Sequence, residues 1–193
     1  MARHLIDRLI RFPLMIQFGV VFAVTKVWSV CLKGGLNAPN EFTDLILILE
    51  YSFMTKLNPY VSQLDPNLHS LTYVRQKSSF LFSAVLAAAS KSFEPALYPS
   101  LHAHAEKLFL EAFQRGDKSA ETVQAIMVLT YWKEPNDTRA WMSVGLAIRM
   151  SMDLGWHKLG STPTAPEDLT EARQRKIRND ERTWLVLFVY DRR

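Results

Sequence analysis

The stretch from Asp137 to His157, DTRAWMSVGLAIRMSMDLGWH, decides the fold. Trp141, Val144, Gly145, Ile148 and Met152 recur at intervals of three, four and one, so they line one face of an α-helix. Asn136 or Asp137 offers a side-chain acceptor for the first free N–H groups, and Gly155 can take the left-handed conformation that ends the helix. A helix with one apolar face is unstable alone, so the flanking sequence must supply partners.

It supplies more helices. Ser119 starts one with Val123, Ile126, Met127 and Thr130 inward, closing at Glu134 and Pro135. Ser100 caps another that carries Leu101, Ala105, Leu108, Phe109, Ala112 and Phe113 on one stripe and ends at Gly116. Phe80 to Ser92, FLFSAVLAAASKS, is apolar nearly all round, which predicts a central helix, and its alanines let neighbours approach closely. Asp65 and Pro66 open a short helix using Leu68, Tyr73 and Val74. Glu41 to Leu57 has Phe42, Leu45, Ile46, Leu49, Phe53 and Leu57 at helical spacing until Asn58 and Pro59 stop it. The last helix begins between Pro166 and Leu169 and runs to the end, charged in EARQRKIRNDER and apolar in TWLVLFVY. No useful length alternates with period two, so the fold class is all-α, an irregular domain of six to eight helices.

With 193 residues, 48% of them hydrophobic, the chain can bury one sizeable core. Its single cysteine, Cys31, excludes an internal disulfide framework and a cysteine-based zinc cluster formed by this chain alone. A net charge of +4 is too small to argue nucleic-acid binding.

Residues 1–40 differ in character from residues 41–193. Arg3, Arg8 and Arg11 precede an uncharged run, FPLMIQFGVVFAVT, from Phe12 to Thr25, before Gly34, Gly35 and Pro39 mark a break. A basic flank and short apolar core resemble a secretory signal, and the run spans a bilayer only if it tolerates Lys26 and continues to Leu32. The competing functional class is therefore a membrane-associated helical protein anchored by residues 12–32.

The candidate chemistry is sparse. His102 and His104 are two apart and point in different directions on a helix, so they do not pair on one face as a metal site needs. No phosphate loop, nucleophile elbow or H-E-x-x-H stretch occurs, and the reading is a non-enzyme. Glu167 with Asp168, and Asp180 with Glu181, are helix neighbours better placed to pair with Lys176 and Arg178 than with each other. Arg173, Arg175, Lys176, Arg178 and Arg182 lack interleaved aromatics and read as a solvated, salt-bridged face. Met142, Met150 and Met152, with Trp132, Trp141, Trp156 and Trp184, read as core in preference to a ligand cavity.

Trp141, Gly145, Ala147, Arg149, Asp153, Leu154, Gly155 and His157, followed by Arg182, Thr183, Trp184, Phe188, Asp191 and Arg192, resemble a two-part motif of one family. That family is the fungal-specific transcription factor domain, the middle homology region of Zn₂Cys₆ regulators. Upstream, LNPYVSQLDPNLHSLTYVRQKSSFLFSAVLAAASK resembles the domain's opening helices, so the likeness covers residues 41 to 193. It implies a nuclear, non-catalytic regulatory domain in DNA-templated transcription. DNA binding and zinc belong to a six-cysteine module that these 193 residues do not contain, and no cofactor is expected in this chain. The implied partners are a second copy, co-regulator proteins or a small-molecule effector, not a membrane. The family's domain continues through further helices, so the resemblance implies a domain incomplete at the C-terminus, with apolar surface on TWLVLFVY left to self-associate. Gly145 and Ala147 are expected to permit close helix crossing. Arg149 and Asp153, four apart, are expected to pair with each other or with Arg182, Asp191 or Arg192.

Overall fold

A computed structural model of the protein describes residues 41–159 and 170–192. In chain order the helices are α1 (Glu41–Ser52), a π-helical turn (Phe53–Leu57), α2 (Asn58–Val61), α3 (Leu71–Lys77), α4 (Ser79–Phe93), α5 (Tyr98–Arg115), α6 (Ala120–Tyr131), α7 (Ala140–Asp153), a 3₁₀ turn (Trp156–Lys158) and α8 (Glu171–Asp191). No strand occurs among the described residues, and the all-α expectation is borne out.

α4 is the hub, and its sequence explains why. Phe80 to Ser90 is buried without interruption, so α4 has packing partners on nearly every side. α1, α3, α5 and α6 all pack against it. Each fully buried Leu, Phe or Val contributes about 1.5–3 kcal/mol, while Ala84, Ala87, Ala88 and Ala89 bring neighbouring backbones close. Serine caps fix three starts. Ser70 accepts from the Tyr73 N–H, Ser78 from the Leu81 N–H and Ser119 from the Thr122 N–H. α5 ends at Gly116, where φ is +68°, and α7 is followed by Gly155 at φ +81°.

Several boundaries differ from the periodicity. Asn58 and Pro59 do not stop the first helix. One π-helical turn accommodates them, Pro59 sits in the first turn of α2 where its missing N–H costs nothing, and the chain breaks only at Ser62 in the left-handed region. Asn58 then clasps the turn, its Nδ2 donating to Leu64 O at 2.7 Å and its Oδ1 accepting from Leu64 N at 2.9 Å. Asp65 and Pro66 form a turn and the helix waits for Ser70. α5 begins at Tyr98, with Pro99 in its first turn, and Ser100 is inside it. α6 closes at Tyr131, before Pro135. Asp137 caps no helix; its carboxylate binds the Arg139 N–H and guanidinium, which hold it down at about 2.

α8 begins at Glu171; the Pro166–Leu169 start lies outside the described residues, as do Glu167 and Asp168 and residues 12–32. Among the described residues no helix is long and apolar enough to cross a membrane.

Candidate functional site: a polar seam and an aromatic cleft

α8 packs against α6, α7 and the 3₁₀ turn. Its buried residues are Asn179, Thr183 and Leu187, four apart in turn, and two of the three are polar. What faces the two polar ones is Gln124, a glutamine inside the apolar run of α6 with no solvent exposure. Its Nε2 donates to Asn179 Oδ1 and to Thr183 Oγ1, both at 3.0 Å. Thr183 Oγ1 in turn donates to Asn179 O at 2.8 Å, and Gln63 Nε2 donates to Gln124 O at 3.0 Å. The two Nε2 donors are thus paired, whereas the Oε1 atoms of Gln63 and Gln124 are buried without a hydrogen-bond partner, so the donors alone tie these groups together.

The seam carries charge at its edges. Arg182 Nη1 lies 3.5 Å from Asp65 Oδ2, tying α8 to the turn before α3. Burial pushes the Asp65 carboxyl up, and the Asn67 N–H and Arg182 more than offset it, leaving Asp65 below the usual carboxylate range. His69 is buried beside them, its Nδ1 3.1 Å from Asp65 O, and burial lowers its pKa. Tyr73 donates to Glu121 Oε1 at 3.0 Å, with its hydroxyl pushed up to about 12 by burial and by that carboxylate. Asp180 is also pushed up by burial, to about 6, against the lowering effect of Lys176.

At the far end of α8 lies a cleft of about 420 Å³, lined by Tyr131, Ala140, Trp141, Val144, Tyr190 and Asp191. Three helix ends build it. α6 and α8 finish there and α7 begins there. The Tyr131 and Tyr190 rings stand 6.0 Å apart at 46°, and Tyr190 donates to Thr130 O at 3.2 Å, which fixes that wall. Trp141 also lines it and is 75% exposed.

The cleft joins one residue from each half of the sequence motif, Trp141 and Asp191, and the others disperse. Ala147 is fully buried, but Gly145 leaves room for a methyl group except toward the Arg149 Nη1, 3.3 Å away at the end of a flexible chain. Gly145 is therefore not what lets α7 approach its neighbours. Arg149 and Asp153 do not pair: Arg149 donates to Gly145 O at 3.2 Å and Asp153 binds Lys118 Nζ at 2.7 Å. His157 is exposed on the 3₁₀ turn, and Trp184 is half-buried. Phe188 is exposed, with the Arg192 guanidinium 4.2 Å above its ring.

Trp156 and Met150 are core, as expected, while Trp141, Met142 and Met152 are exposed. The inward face of α7 is Val144, Ala147, Met150 and Ser151, rotated from the Trp141–Met152 stripe. Arg173, Lys176 and Arg178 are solvated and Arg175 pairs with Glu171. His102 lies 3.9 Å from Glu106, and no group of three metal-ligating side chains occurs among the described residues.

The sequence reading passed over Gln124, Asn179, Tyr131 and Tyr190. A signal existed for the first two: a glutamine inside ETVQAIMVLT, and a polar pair one helical turn apart followed one turn later by Leu187.

Residues 43–193 match the family model described as "Fungal specific transcription factor domain", and the chain belongs to that family. It is similar to protein priB of Lentinula edodes, 40% identical over 139 residues that make up 71% of this chain and 22% of that protein. It is also similar to cutinase transcription factor 1 beta of Fusarium vanettenii, 29% identical over 180 residues, 83% of this chain and 19% of that protein. The chain thus spans about a fifth of the length of the curated relatives it matches. No solved structure matches it.

Proposed function

We propose that residues 41–193 form the non-catalytic regulatory domain of a fungal transcription factor, with residues 1–40 a separate segment. The domain acts in the nucleus on transcription that a Zn₂Cys₆ module, outside these residues, directs to its DNA sites. Zinc serves that module, and the domain itself uses no cofactor. Membership of the family supports this reading, and one observation gives it a mechanism. The two motif halves share a cleft whose lining includes Trp141 and Asp191. Whatever fills that cleft acts on the end of α8, a helix anchored by three buried residues. A small change in cleft occupancy is thereby converted into a change in helix position that partner proteins can read.

Tethering the 193-residue chain to a reporter promoter through a heterologous DNA-binding module tests this. Output is expected to rise or fall at least twofold relative to the tether alone, and a nuclear signal from a tagged chain is expected alongside. A tethered chain with no effect on output, in a fungal host, would overturn the regulatory reading.

A further inference from the structure

We infer that the cleft between α6, α7 and α8 is a binding site for an organic ammonium ion, a quaternary or methylated amine held by aromatic faces and one carboxylate. The inference deepens the regulatory reading above, and rests on it for its biological meaning, but not for its chemistry.

The lining is what such a cation requires. Trp141, Tyr131 and Tyr190 are the aromatic residues of the lining, and an ammonium within about 6 Å of a ring centroid is attracted by the ring quadrupole, most strongly by Trp. Ala140 and Val144 supply apolar contact for N-methyl groups, and Asp191 is the single charged residue of the lining. Among the described residues the cations nearest in sequence are engaged elsewhere. Lys133 Nζ sits on the carbonyls of Glu134 and Asp137, the Arg139 guanidinium on Glu106 and Asp137, and Arg192 over Phe188. Of the three converging helices, α6 and α8 bring their carbonyl ends, which favour positive charge, and α7 brings its amide end, which opposes it. A volume of about 420 Å³ falls in the range of small-molecule sites, and is too large for a bare metal ion.

An anionic effector is disfavoured by Asp191. A purely apolar one would leave that carboxylate in the cleft without a counter-charge.

The test uses the full 193-residue chain with choline and benzyltrimethylammonium as probes, and 3,3-dimethylbutan-1-ol as the uncharged isostere of choline. Binding is followed by calorimetry and by the indole N–H resonance of Trp141, assigned by its loss in Trp141→Leu. Choline is expected to bind at least about fivefold more tightly than the isostere. Trp141→Leu should weaken it by roughly tenfold. Asp191→Asn should weaken it by about fivefold, an effect that shrinks in high salt. Both residues are exposed, so unchanged melting temperatures are expected. Equal or tighter binding of the uncharged isostere, no saturable binding of either cation, or binding indifferent to Trp141→Leu would each overturn the proposal. The tethered-reporter result is separate: an active tether with no cation binding sinks this inference alone.

Discussion

Replacing Gln124 with methionine keeps the side chain's length and removes its amide. In the native seam that amide gives two hydrogen bonds, to Asn179 Oδ1 and Thr183 Oγ1. Thr183 keeps its own bond to Asn179 O, so its hydroxyl remains satisfied. Asn179 Oδ1 is worse off. It stays buried without its donor, which costs about 1–3 kcal/mol, and the second lost bond adds about 1 kcal/mol. Gln124→Met should therefore destabilise by about 2–4 kcal/mol and lower the melting temperature by about 5–15 °C for a domain of this size. Calorimetry and urea unfolding measure the total, and hydrogen exchange locates it: amides of α8 should lose protection before those of α4. The companion variant Gln124→Met with Asn179→Leu should recover most of the loss, because apolar groups then face each other. A single-variant cost under about 0.5 kcal/mol, or a double variant no better than the single, would refute the claim that this seam holds α8.

Gly155→Ala places a methyl-bearing residue at φ +81° and should cost about 1–2 kcal/mol in thermal unfolding, whereas Gly145→Ala should be neutral or stabilising by up to about 1 kcal/mol through helix propensity. The reverse order would contradict the roles assigned to the two glycines. Burial raises Asp180 from 3.8 to about 6, so the folded chain holds a proton there that the unfolded chain has released. That contribution is fully present below the unfolded value near 4 and is lost as pH rises through about 6. Asp180→Asn should then stabilise the protein at pH 7.5 in urea unfolding and lose that advantage toward pH 4; a gain confined to low pH would be the wrong sign. Leu185, Phe188 and Val189 expose apolar surface on α8, so the chain should self-associate in light scattering at rising concentration. Leu185→Lys with Val189→Glu should shift it toward monomer with little change in melting temperature, and an unaltered mass would remove α8 from the interface.

Helix identity was readable wherever the apolar pattern was long. FLFSAVLAAASKS announces a buried hub because no face of it is polar, and Ser119 and Gly116 announce ends because their chemistry is local. Pro59 misled because tolerance in a first helical turn depends on a π-turn that preceding residues do not reveal. The α7 face was read about one residue out of phase, since Trp141 and Met152 satisfy helical spacing while only neighbouring helices determine which stripe is covered. Arg149 and Asp153 sit at pairing distance in sequence, yet Lys118 from another segment takes the carboxylate. The cleft was illegible for the same reason: Tyr131, Trp141 and Tyr190 come from three helices, and only their packing brings them to one rim.

The seam also sets an index mark. Along α8 the sequence Asn179, Thr183, Leu187 presents two polar teeth and one greasy one, and Gln124 fits only the first two. Sliding α8 by one turn, about 5.4 Å, would bring Leu187 against the glutamine amide. Such a shift would set a buried amide against leucine, so the seam favours one register of α8 over the neighbouring ones.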